Sequence, residues 1–173
     1  AGQLDPCLFG PFVFPYHAKE TPRTIEKHLY RGPLDGERRR AIYTRVSIME
    51  PPPFLAIFNQ PDPKIPTGRR DVTSSIPQSL ALLNGPLTQE MAERWAERLI
   101  ATGDVDPRAR LRRMFRSAFA RDVKQGEMDR WLALIVRLQM SHQVTDGAIL
   151  ESRKVWKAVC HAVYNTKEFI YLR

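Results

Sequence analysis

Six polar side chains stand out in a stretch otherwise rich in proline and aromatic residues: Arg39, Arg40, Tyr43, Asp62, Arg69 and Arg70. A guanidinium group offers planar, bidentate pairing with carboxylates, phosphates or sulfates, so the chemistry open to this set is the binding of an anionic group. Sites of that kind are commonly built on loops held by a scaffold. The competing reading is structural, because an unpaired charge in a folded interior is very costly. On that reading, the stronger of the two, Arg39, Arg40 and Arg70 are partly buried and donate to backbone carbonyls or to Asp62, Asp71 or Glu168.

Other chemistries find less support. His17, His28, His142 and His161 form no H-E-x-x-H and no i, i+4 pair, and the scattered glycines make neither G-x-G-x-x-G nor a Walker loop. Thr73-Ser74-Ser75 carries hydroxyls without a local base, which suits turns and caps. His161, on the last long helix, reads as a satisfied or surface histidine. Glu90, Glu93 and Glu97 stand at helical spacing with Arg94 and Arg98, the pattern of a solvated face. Cys7 and Cys160 are the two cysteines, open to forming one bridge or to staying free. No C-x-x-C occurs, and Lys157 three places before Cys160 excludes covalent haem at Cys160-His161. No metal site and no resident cofactor are therefore expected in this chain.

Lysine and arginine number 27 against 19 acids, for a net charge of +8, and 20 of the 27 are arginine. The excess divides as +3 over residues 1–86 and +5 over residues 87–173. Charge spread in this way is a weaker nucleic-acid signal than a patch, since counterion release needs several cations on one phosphate track. Nucleic acid is accordingly the minor alternative. No apolar run approaches the roughly 18 residues of a membrane helix. Ala1–Asp5 has neither the basic nor the apolar region of a signal peptide.

The elements that must position these residues divide at a break in composition: all 14 prolines lie at or before Pro107. Residues 1–86 read as an irregular, loop-rich half. In it Glu37–Ile48 forms one short helix or strand, and Gln78–Asn84 a short buried helix stopped by Gly85-Pro86. Residues 87–173 carry apolar spacings of three and four, which argue for helices. Thr88 caps the first, with Met91, Trp95 and Leu99 inward, and Gly103 ends it. Asp106-Pro107 opens the second, with Leu111, Met114, Phe115 and Ala118 inward and Arg108, Arg110, Arg112, Arg113 and Arg116 on the other side. The third begins near Gln125 and packs Met128, Trp131, Leu132, Ile135 and Leu138; Asp146 caps the fourth, which closes at Asn165. Trp95, Phe115, Trp131 and Trp156 are expected inside. The fold class is mostly α, an irregular proline-rich N-terminal half packed on an antiparallel helix cluster. The two together make one domain or the C-terminal part of a larger one.

Read as a string, several segments carry a family pattern. They are Arg39-Arg40-Ala41-Ile42-Tyr43, Pro51-Pro52-Pro53-Phe54, Phe58-Asn59-Gln60-Pro61-Asp62, Arg69-Arg70 and Gln78-Ser79-Leu80-Ala81-Leu82-Leu83-Asn84. Later come Arg121 with Glu127, then Trp156 and Asn165-x-x-Glu168-Phe169-x-Tyr171. The chain resembles the C-terminal domain of unknown function found in planctomycete and verrucomicrobial cytochrome-linked proteins, often named the fifteen-fifty-three domain. Asn59 stands where that family usually has Asp, Ala41 where it has Ser, and Val123 where it has Pro. The first departure weakens any role for a carboxylate there.

The resemblance implies an exported, extracytoplasmic protein fused to or working beside a cytochrome c domain, with haem c in an associated domain or chain. It also implies a link to polysaccharide use. The leading expectation is a helical non-haem assembly or ligand-binding module, linked to electron transfer. The alternative is part of a glycan-active enzyme completed by an upstream segment, with an anionic glycan as ligand. The run Leu8-Phe9-Gly10-Pro11-Phe12-Val13-Phe14-Pro15-Tyr16 has no helical period to bury its phenylalanines. It is expected to dock against an upstream segment or another chain of a larger assembly.

Overall fold

The computed structural model describes residues 1–16, 32–46, 51–69, 71–73 and 75–170. Arg70, His17 and His28 lie outside the described residues. The chain is mostly helical, with helices α1 (Pro53–Ile57), α2 (Ile76–Asn84), α3 (Pro86–Ile100), α4 (Pro107–Phe119), α5 (Gln125–Ser141), α6 (Arg153–Tyr164) and α7 (Lys167–Ile170). No strand forms among the described residues beyond one isolated parallel bridge, Val13 to Thr44. Two compact units result: Gly2–Leu87, and Thr88–Arg173 with Ala1.

The Thr88–Arg173 unit is built on α3–α6. Proline suits the first helical position, where its missing N–H has no partner to lose. Helix α3 accordingly starts at Pro86, and Thr88 lies in its first turn instead of capping it. Gly103, at φ +67°, turns the chain out after α3 in a conformation that glycine tolerates best. Asp106 caps α4 by accepting from the Ala109 N–H at 2.8 Å, with Pro107 next in sequence. Leu111, Met114 and Phe115 are buried as the spacing predicts. Arg110 is not on the outer side: it is 1% exposed, inside the core. Asp146 opens a 3-10 turn, Asp146–Ala148, and the cap of α6 is Ser152, whose hydroxyl accepts from Val155 N–H at 3.4 Å.

These helices bury Trp95, Leu99, Leu111, Met114, Met128, Ile135, Val155, Trp156 and Val159 in one cluster. Each such side chain contributes about 1.5–3 kcal/mol when fully removed from water. Trp156 donates its indole N–H to the Ile149 carbonyl at 2.8 Å, and Trp95 stacks on Tyr164 with ring centroids 5.4 Å apart. Phe115 meets Trp131 edge-on at 6.0 Å, so all four expected aromatics pack inside or against the core. Both cysteines are free; Cys7 is exposed and Cys160 buried, where burial pushes its thiol up to about 12.

The Gly2–Leu87 unit is loop-rich. The expected element at 37–48 is two 3-10 turns, Gly36–Arg38 and Ala41–Tyr43, with Ser47 and Ile48 outside the described residues. The bridge brings Val13 N–H to Tyr43 O at 2.9 Å and Arg45 N–H to Val13 O at 2.8 Å. A Cβ on Gly32 would sit 1.7 Å from the Phe14 carbonyl oxygen, so that close crossing demands glycine. Helix α2 is not a buried helix. Gln78 is its buried residue, while Ile76, Leu80 and Leu83 are exposed.

Candidate functional site

In the Gly2–Leu87 unit, Arg39 follows the first 3-10 turn in extended conformation, which aims its guanidinium back at residues 9–11. Nη1 donates to the Pro11 carbonyl at 2.7 Å and Nη2 to the Phe9 carbonyl. The plane lies 3.9 Å over the Tyr43 ring, and the Tyr43 hydroxyl accepts from the Phe9 N–H at 2.8 Å. Phe9 sits at φ +64° and Gly10 at φ +98°. A positive φ is uncommon for a bulky residue, so the arginine–tyrosine pair holds a strained bend. The structural expectation for Arg39 therefore holds: its Nη donors are committed to the backbone.

The other predicted site residues are placed differently. Arg40, Asp62 and Arg69 are exposed, so the expected partial burial of Arg40 does not occur. Its extended backbone, directly after Arg39, turns its side chain out to solvent. The Asp62 carboxylate accepts from Lys64 N–H at 2.9 Å in a local turn. Among the described residues no hydrogen bond or ion pair joins Asp62 or Arg69 to the Arg39–Tyr43 pair. Arg39→Ala should free the 9–11 bend, costing about 1–2 kcal/mol for its lost charge-assisted bonds. Limited chymotrypsin digestion reads this directly, through faster cleavage after Phe9 and Phe12.

A second cluster joins residues distant in sequence. Asn59, in left-handed conformation at φ +59°, donates to the Asp71 carbonyl at 3.2 Å and to Thr73 Oγ1 at 2.9 Å. Gln78 donates to the Ile57 carbonyl at 3.0 Å and to Thr73 Oγ1 at 3.1 Å, and its own carbonyl accepts from Ser75 N–H at 3.0 Å. Gln60 Oε1 is buried beside no hydrogen-bond donor. The cluster is made of amides and a hydroxyl; it fastens the 57–73 loop to α2 and offers no general acid or base. Asn59→Asp should destabilise it by about 0.5–1.5 kcal/mol, because a carboxylate cannot donate to the Asp71 carbonyl, which is left to water. Urea unfolding of the two proteins gives the difference.

In the Thr88–Arg173 unit the polar geometry is tighter. Arg121 donates to both carboxylate oxygens of Glu127, at 2.8 and 2.7 Å, and to both of Glu168, at 2.6 and 2.7 Å. Those bonds push the guanidinium above its usual value, and Arg121 holds the Glu127 carboxyl down at about 2. Glu168, expected as a partner of the loop arginines, pairs with Arg121; Arg70 lies outside the described residues. Glu93 and Glu97 do not form a purely solvated face: Lys157 reaches Glu93 at 3.0 Å, and Arg153 pairs with both. His161 lies 3.2 Å from the Gln89 amide and 3.3 Å from the Asn165 amide, a satisfied histidine. The described residues hold no group of three or more His, Cys, Asp or Glu side chains that could hold a metal ion.

The family model of PSD1, a protein of unknown function (DUF1553), matches residues 1–135. The chain belongs to the PSD1 family. No curated protein and no solved structure matches it. The PSD1 match spans Arg39, Tyr43, Asn59, Asp62, Gln78, Arg121 and Glu127, and ends before Trp156 and Glu168. Within it, the PSD1 pattern at 58–62 and the one at 78–84 meet physically, through Asn59, Thr73 and Gln78. Asn59 and Gln78 are 19 residues apart, a separation that no helical or strand period links. No helix of the described PSD1 residues is long and apolar enough to cross a membrane.

Proposed function

We propose that this PSD1 chain is a helical, non-haem assembly module of an exported, cytochrome-c-associated protein linked to electron transfer and polysaccharide use. One observation supports the assembly role: an apolar bend held open by committed bonds. Phe9 is 81% exposed, yet both its carbonyl and its N–H are gripped, by Arg39 and by Tyr43. Leu8 and Phe12 flank it, 59% and 57% exposed. A strained bend that keeps large apolar side chains in water suits a surface awaiting a partner, since each gains about 1.5–3 kcal/mol on burial. The haem belongs to that partner. Size-exclusion chromatography with light scattering, read at the Soret wavelength, tests the reading with the chain and a c-type cytochrome domain encoded beside it. Co-elution lost on Phe9→Ala/Phe12→Ala is the supporting result. Separate elution of two ideal monomers overturns it.

The exposure of Arg40 and Arg69 supports a second reading, an anionic glycan bound by the loop arginines with Asp62, as part of a glycan-active enzyme. Retention on a sulfated or uronic-acid glycan column, lost in Arg40→Ala/Arg69→Ala with unchanged thermal midpoint, would favour it.

A further inference from the structure

We infer that the outer face of α5 docks an amphipathic helix of a partner protein, one with an acidic edge, on a surface separate from the apolar bend. Helix α5 is apolar on two faces. Met128 and Ile135 are buried, and Leu132 and Leu138 pack against the same core. Ala133, Val136 and Met140 follow a second stripe at i, i+3 and i+7, and all three are exposed. That stripe lies about 80–160° round the helix from Met128 and Ile135. Val136 is 45% and Met140 72% exposed. A surface helix ordinarily keeps polar residues on the sides away from its core, and this exposed apolar flank beside Arg130 and Arg137 departs from that.

Arg130 and Arg137 run along one edge of this stripe. Seven residues apart, they stand nearly one above the other, about 10 Å apart along the axis. They lie about 40–80° round from Ala133 and Met140 on the helix surface. Both are exposed, and neither forms an ion pair among the described residues. Asp129 lies in line with the stripe, one turn before Ala133, where its carboxylate accepts from the Gln125 amide at 3.1 Å. The arginine edge therefore attracts carboxylates, and the Asp129 end of the stripe repels them.

Charge complementarity names the occupant. An apolar stripe at helical period with guanidinium groups seven residues apart matches a second helix whose apolar face carries carboxylates seven apart along one edge. Small Ala133, at the middle of α5, leaves room for that helix to approach closely. A nucleic-acid strand would want exposed aromatic side chains for stacking and a longer track of cations. The outer face of α5 offers neither.

Fluorescence anisotropy on the full chain tests the inference. The probe is a labelled synthetic helix carrying leucines on one face and glutamates seven residues apart along one edge of it. Binding should weaken with salt and fall about tenfold in Arg130→Glu/Arg137→Glu. Val136→Ser/Met140→Ser should also fall about tenfold, from lost apolar contact. The charge-neutral Arg130→Gln/Arg137→Gln should fall less. All three variants should keep the parent's thermal midpoint, showing that the loss is not misfolding. Lys64→Glu, exposed and in the other unit, should bind as the parent does. Equal binding of a scrambled peptide of the same composition would overturn the helix. Tighter binding of anionic vesicles, polygalacturonate or a short DNA duplex through the same residues would overturn the protein partner. Full affinity in the double charge reversal, or in the double serine variant, would overturn the site.

Discussion

The Arg110→Ala protein should lose about 3–5 kcal/mol of stability, the cost of breaking a buried ion pair from one side. For a unit of this size that is a fall of roughly 12–40 °C in Tm, read by calorimetry or circular dichroism. Arg110 lies 4.5 Å over the Trp156 ring, donates to the Leu150 carbonyl at 2.6 Å and sits 3.6 Å from the Asp104 carboxylate. Burial pushes its guanidinium below the usual value, and the charge of Asp104 works against that. Truncation leaves the Leu150 carbonyl without this donor and opens a void against the indole. Arg110→Lys keeps the charge but not the planar stack, so it should recover only part of the loss. Burial pushes the Asp104 carboxyl up, but bonds from Arg113 and Thr102 and the nearby arginine charges more than reverse this, leaving it below its ordinary range. A depressed carboxylate contributes stability above its unfolded value, near 3.9, which is lost as pH falls through the folded one. Asp104→Asn should flatten that acid-side loss. An unchanged Tm in Arg110→Ala would remove the cluster from the account of the core.

Arg110 also shows where the sequence stopped being legible. Its position, four before Met114, puts it on the buried stripe of α4, and the 3.6-residue period marks it as inward. Hydrophobic patterning alone assigns any arginine to the outside, and its partners Asp104, Leu150 and Trp156 are visible only after folding. The helices of residues 87–173 were readable because local signals agreed: Asp106-Pro107 at a start, Gly103 after a stop, apolar residues at three and four. Where one residue type carries two signals, the boundary moved. Pro86 reads as a stop for α2 and is also a good first residue for α3, and Asp146 opens a turn that ends before α6 begins. In the loop-rich unit, α2 carries an apolar pattern whose leucines at 80 and 83 face water. Burial there is decided by what the rest of the chain brings near, which no local period encodes. Of the six candidate site residues, Arg39 and Tyr43 stand four apart in sequence and meet in the structure. The Asn59–Thr73–Gln78 contact has no such local spacing, because a loop closes it.

Arg121→Gln should weaken the Thr88–Arg173 unit by about 2–3 kcal/mol, the range for hydrogen bonds to charged groups that lose their donor. Arg121 follows α4, Glu127 lies in the first turn of α5 and Glu168 in α7, so one guanidinium ties three elements whose ends are 47 residues apart in sequence. Its plane also lies 5.3 Å from the Phe115 ring centroid and 5.6 Å from that of Phe119. The side chains are 29%, 20% and 43% exposed, so solvent screens the pairs and keeps the loss below that of Arg110. The pH dependence has a defined sign. Arg121 holds Glu127 down at about 2, against an unfolded value near 4.3. The pair therefore contributes fully above the unfolded value and is lost as pH falls from about 4 toward 2. Urea unfolding at pH 7 and pH 3 should show the parent losing about 1–2 kcal/mol over that interval through this carboxylate. Arg121→Gln should lose less, because its Glu127 titrates near the unfolded value in both states. Since the two glutamates share one cation, Glu127→Gln and Glu168→Gln should be non-additive: once either partner is neutral, removing the other costs a different amount. Parallel acid slopes in parent and Arg121→Gln would show that the stability lost on acidification arises at other carboxylates.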